Sequence, residues 1–157
     1  MDADALPQLA RLIRAERVAA LGTLRGGAPL ASMVLYLPDD DFSAFSLHIS
    51  DLAWHTRDLG ADPRASLSIA QADDGRDDPQ TLARLSLRGE ARRIANDDPA
   101  AVALRARWLA RFPRSTPTFA LADFSFWRIG VRDARFVAGL GRIHNLSMDD
   151  LARGARI

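Results

Sequence analysis

The strongest constraint on this chain is a series of short apolar/polar alternations separated by tight turn signals. "VAALGTL" (18–24) and "LASMVLYL" (30–37) flank the two-glycine turn "RGGAP" (25–29), so they read as a β-hairpin. "PDDD" (38–41) is a second turn, and "FSAFSLHIS" (42–50) is a third strand. In it Phe45, Leu47 and Ile49 face one way, and Ser46 and His48 the other. "RASLSIA" (64–70) and "TLARLSLRGEARRI" (81–94) continue the pattern, with Gly89 marking a bulge or bend. "ADFSFWRIGV" (122–131) and "ARFVAGL" (134–140) read as two closing strands. Helical spacing is confined to residues 3–15, about 51–60, 96–112 and 147–155. Asp97 or Asp98 with Pro99 opens the third of these helices, Pro113 stops it, and Ser147 begins a Ser-x-x-Asp capping pattern for the last. Strands joined mostly by turns predict meander pairing. The expected fold is therefore α+β: a six- to seven-stranded, mostly antiparallel sheet or barrel in one domain, residues 1–157.

Composition removes several chemistries. There is no cysteine, which excludes disulfides, thiolate catalysis and cysteine zinc sites. All 21 basic residues are arginine, so Schiff-base chemistry and a Walker lysine are excluded too. A bound phosphate would have to be held by Arg, Ser, Thr, His or backbone N–H. The net charge of +1 predicts no nucleic-acid field, and three histidines argue against a His-rich metal site. The acidic start "MDADALPQL" lacks a signal-peptide core, and no apolar run reaches membrane-spanning length, so a cytoplasmic protein without membrane contact is expected.

The segment "SDLAWHTRDLGADPRASLSIA" (50–70) gathers a hydroxyl, an imidazole and a guanidinium at the start of a short helix between strands. Two readings stand. Ser50, His55, Thr56 and Arg57 can surround an anion at the helix N-terminus, where free N–H groups and the helix dipole point outward. Alternatively Ser50 or Asp51 is a simple N-cap and His55 packs under the sheet.

"SDLAWHTR" and "ADPRASL", followed by the long "RLSLRGEARRI" strand, resemble the pyridoxamine 5'-phosphate oxidase-like FMN-binding split barrels, nearest to their haem-utilisation branch. "VAALGTLRGGAPLASMVLYLPDD" and "DFSFWRIGVRDARFVAGLGR" fit the same pattern, so the resemblance covers about residues 8–142. It implies a split β-barrel homodimer with FMN in a groove between the subunits. It places Ser32, Met33 and Val34 beside the isoalloxazine ring, and Ile49 and Ser50 along the ring edge and ribityl chain. His55 and Thr56, with Arg57 beside them, would take the phosphate, where the oxidases use Arg and Lys. Arg84 loosely matches a flavin-touching position. Without the lysine, loss of one charge-assisted hydrogen bond would weaken FMN by about one to two decades. Arg142-Ile-His144 is similar to a substrate-phosphate pair of the oxidases but follows the closing strands instead of preceding them.

The resemblance implies a flavin-dependent oxidoreductase acting on a small molecule, with no catalytic side chain identified. Its haem-utilisation branch implies a second function, haem binding at the dimer interface, for which His144 is the candidate axial ligand. Members of that branch often carry a further C-terminal domain, which a chain ending at Ile157 would lack. The third possibility is a non-enzymatic dimer that has kept the barrel and lost its cofactor.

Overall fold

The computed structural model describes residues 4–157; the first residues of the helix expected over 3–15 lie partly outside them. The order of elements is α1 (Ala5–Ala15), β1 (Val18–Arg25), β2 (Ala28–Leu35), β3 (Leu37–Pro38), β4 (Ala44–Ser50), α2 (Trp54–Ala61), β5 (Arg64–Ala70), β6 (Arg84–Ile94), α3 (Pro99–Arg111), β7 (Phe124–Gly139), β8 (Arg142–Leu146) and α4 (Met148–Ala155). Short 3-10 turns occupy Pro79–Thr81 and Pro113–Ala120. The α+β antiparallel reading holds: seven strands of five residues or more and the two-residue β3 form one sheet. Its order is β2-β1-β5-β6-β7-β4-β3, with β8 added against β7, and every pairing is antiparallel. Chain neighbours pair as a meander would, except that β1–β5 and β4–β7 join distant segments.

Two expectations need correction. The segments 122–131 and 134–140 are a single sixteen-residue strand, β7. Arg132 and Asp133 look like a turn in sequence, but Asp133 lies opposite Arg88 across β6 and pairs with it at 2.9 Å, which keeps the strand extended. The helix expected from about 51 begins at Trp54, so neither Ser50 nor Asp51 caps it. Other local signals carry through. The register shifts between Arg88 and Gly89, Asp98 caps α3 ahead of Pro99, and Ser147 with Asp150 forms a complete capping box on α4.

The sheet curls around a main core that includes Leu21, Phe45, Leu47, Leu67, Leu87, Ile129 and Phe136, closed on one side by α1 and α4. Tyr36 is buried there and its hydroxyl lies 2.8 Å from the carbonyl oxygens of both Ile13 and Glu16, sharing its one hydrogen between them and tying the end of α1 to the sheet. A second cluster, with Trp108, Phe112 and Phe126, sits where α3 and the 113–120 turn cover β4 and the start of β7.

An arginine-lined sheet face and an uncapped helix end form the candidate functional site

Ser50 ends β4 and commits its side chain elsewhere. Its Oγ donates to the Asp123 carboxylate and accepts the Leu52 N–H at 3.1 Å. The residue at the N-cap of α2 is Ala53, which has no side chain able to accept a hydrogen bond. The N–H groups of Trp54, His55 and Thr56 therefore have no intrahelical acceptor and no capping oxygen. Thr56 is 4% exposed and its Oγ1 has no hydrogen-bond partner. An anion at this end would satisfy both deficits.

His55 and Ser32 meet here: Nδ1 lies 3.1 Å from Oγ, joining α2 to the edge strand β2. Burial lowers the His55 pKa, against the opposing pull of Asp58, so the ring is neutral near pH 7. Behind it Asp58 is buried and accepts from Thr23 Oγ1 and from Arg25, both at 3.1 Å. The Arg25 guanidinium in turn lies over the Trp54 ring, 4.1 Å from its centroid. The Thr23–Asp58–Arg25–Trp54 bracket that fixes α2 to β1 is a part of the site that sequence reading missed. The only hint was Asp58 three residues beyond His55 on the same helix.

The other expected residues scatter. Val34 and Ile49 are buried in the main core, leaving their backbones as the groups available to a ligand. Met33 is 69% exposed and points to the opposite face from Ser32. Arg57 is exposed and reaches the Asp51 carbonyl at 3.4 Å. Arg84 lies at the start of β6 and donates to the carbonyls of Gln80 and Leu82, three strands away from β2. His144 is on β8, not in a loop, with its half-buried ring stacked over Phe136.

A larger concavity lies on the outer face of the sheet. Alternation places Gly22, Ser66, Arg88 and Asp133 in one row across four strands, and Met33, Ala20, Ser68, Ser86 and Arg135 in the next. A groove of about 640 Å³ opens over the first row, walled by Leu24, Pro29 and Leu30 and flanked by Arg64, Arg88 and Arg132. In its floor Gly22 makes room for the Ser66 side chain of the neighbouring strand: a Cβ there would stand 2.3 Å from Ser66 Oγ. Arg64 pairs with Asp62 and Arg88 with Asp133, all near the groove mouth. The arginines lie far apart in sequence, and only strand register brings them together.

The family model described as "CREG, beta-barrel" matches residues 2–152. The chain belongs to the CREG β-barrel family. Within this split-barrel group it is 40% identical over 114 residues to the non-canonical heme oxygenase HOZ, chloroplastic, of Arabidopsis thaliana, covering 73% of this chain and 33% of that one. The solved heme-binding protein of Mycobacterium smegmatis is 34% identical with a TM-score of 0.82, covering 98% of this chain and 62% of that one. The chain thus spans one third to under two thirds of these relatives' length. A putative pyridoxamine 5'-phosphate oxidase of Listeria innocua, 16% identical with a TM-score of 0.62 over 85% of this chain and 98% of that one, shares the fold. This CREG-family chain is thus similar in sequence to a heme oxygenase and a heme-binding protein, and shares its fold alone with an oxidase-like barrel. No helix among its described residues is long and apolar enough to cross a membrane.

Proposed function

We propose that this CREG-family chain is a haem-handling protein that binds the macrocycle at the outer sheet groove, between two copies of the chain. The observation that carries this reading is the groove itself: an apolar wall with three guanidiniums and the two carboxylates Glu90 and Asp133 around it, so the arginines outnumber the acids. A porphyrin is a wide apolar plate with two carboxylates, and guanidinium is the side chain best shaped to pair with carboxylates bidentately. Arg64, Arg88 and Arg132 would take the propionates, and Leu24, Pro29 and Leu30 the ring. The names of the relatives at 40% and 34% identity favour the same ligand. When bound, haem would supply iron redox chemistry; His144, whose ring stacks on the core residue Phe136, lies on the other face of the sheet and would not reach a plate in this groove. The chain's own residues would orient the plate and exclude water. The adjoining row of small exposed residues, Ala20, Ser68 and Ser86, would let a second sheet approach closely and complete the site as a homodimer.

Titration with haemin tests this. A saturable Soret shift is expected, lost in Arg88→Glu/Arg132→Glu and retained in His144→Ala, because His144 lies on the other face of the sheet. Absence of a saturable shift in the wild type would overturn the reading.

One observation favours a second reading, an FMN-dependent oxidoreductase acting on a small molecule. The uncapped α2 end, the orphan Thr56 hydroxyl and neutral His55 fit a phosphate without any lysine. Ser32, Ser50 and Arg57 lie on the elements around it, while Met33, Val34, Ile49 and Arg84 would touch the ring only through backbone or from the partner copy. Quenching of flavin fluorescence on FMN titration would support it. A chain that binds neither haem nor FMN would be the cofactor-free dimer.

A further inference from the structure

The second aromatic cluster is not closed. A cavity of about 200 Å³ remains between β4, α3 and the 113–120 turn, lined by His48, Arg105, Phe119, Phe124 and Phe126, with Val102 and Leu121 at its rim. The His48 ring stacks on Phe119, centroids 4.1 Å and planes 14° apart, and lies 4.7 Å from Phe126. Its protonation is fixed by one chain of hydrogen bonds. The single hydroxyl hydrogen of Thr118 goes to the Ser115 carbonyl at 2.8 Å, so Thr118 Oγ1 must accept from His48 Nδ1–H at 3.2 Å. Nε2 is left as an acceptor. Burial and neighbouring Arg105 push the His48 pKa down to about 4, so the ring is neutral near pH 7 and keeps Nε2 free of a proton in the hydrogen-bonded arrangement just described. Arg105 is exposed, with its guanidinium 5.0 Å from the Phe119 centroid. Val102 is 68% and Leu121 49% exposed, so the rim is apolar and open.

We propose that this cavity is a binding site for a one-ring aromatic carboxylate bearing a hydrogen-bond donor, separate from the sheet groove. Three features specify that class. The volume suits a single ring, since an apolar cavity of roughly 150 Å³ holds benzene. The walls are aromatic and offer stacked and edge contacts. The polar groups are the acceptor His48 Nε2, the cation Arg105 and the Asn96 amide, whose NH2 already donates to the Phe124 carbonyl; the first two match a ring hydroxyl and a carboxylate. A two-ring or longer ligand would have to protrude past Val102.

The test uses the full chain and 4-hydroxybenzoate, with 4-hydroxybenzamide as the uncharged control, followed by NMR of the His48 ring protons. Saturable shifts are expected with 4-hydroxybenzoate, at an affinity at least about tenfold above the amide. Arg105→Gln should bring the two to parity, and Val102→Trp, at an exposed helix position, should block both while its circular dichroism spectrum stays that of the wild type. The site is refuted if His48 does not shift in the wild type, if acid and amide bind equally there, or if Val102→Trp binds unchanged.

Discussion

Ser32 on an edge strand and His55 on the first turn of α2 share a 3.1 Å hydrogen bond, although 23 residues separate them in sequence. The contact sets the ring beside an uncapped helix end. The neighbouring Thr56 hydroxyl is buried without a partner. Unsatisfied donors gathered at one spot suit an acceptor from outside, which is the basis of the phosphate reading. His55→Ala/Thr56→Ala should therefore weaken FMN or inorganic phosphate by about one to two decades, while Ser32→Ala, which only frees the ring, should cost less than about tenfold. Equilibrium titration measures both.

Two glycines make opposite forecasts. A Cβ on Gly89 would lie 1.9 Å from the Gly130 carbonyl oxygen, so Gly89→Ala must break the β6–β7 register and should cost about 3 kcal/mol or more. Gly60 lies in α2 with open space around it, and Gly60→Ala should add about 0.5–1 kcal/mol. Urea midpoints at constant m-value separate the two.

Acid should destabilise the fold first through histidine. His48 takes a proton near pH 6.5 when unfolded but only near 4 when folded, because burial disfavours its charged form. Between those values the unfolded chain binds more protons, so stability falls as pH drops from about 6.5 to 4, with no further His48 contribution below that window. His55 acts in the same direction. His48→Phe, which keeps an aromatic ring in the cluster, should flatten the change in urea midpoint between pH 7 and 5.

The exposed row of small residues predicts a dimer sensitive to bulk and charge. Ser68→Arg would place a cation at the face proposed to meet a second copy. It should raise the dimer dissociation constant at least about a hundredfold, since burying an unpaired charge costs several kcal/mol. Sedimentation equilibrium reads this directly, and haem affinity should fall with it.

Much of the fold was legible because its signals are local. The turn glycines, the alternation in 64–70, the Asp98-Pro99 start of α3 and the Ser147 capping box need no distant partner. Where the reading failed, the deciding partner was remote. Ser50 looks like a cap until its hydroxyl is seen on Asp123, 73 residues away. Arg132 and Asp133 look like a turn until Asp133 meets Arg88. The groove arginines acquire meaning only from register. His48 sits on what reads as the polar face of β4, yet α3 and the 113–120 turn build a second core over it. Alternation cannot reveal a strand covered on both faces.

The sixteen residues of β7 have a consequence for how this chain comes into being. Apart from the two-residue β3, β4 has no strand beside it until β7 exists, and β6 likewise waits for its second neighbour. During synthesis the first three quarters of the polypeptide would leave the ribosome with hairpins whose flanks are bare, and only the late arrival of residues 124–139 would stitch them together. Truncation upstream of that stretch should yield a sticky, chaperone-dependent fragment, not a smaller version of the barrel.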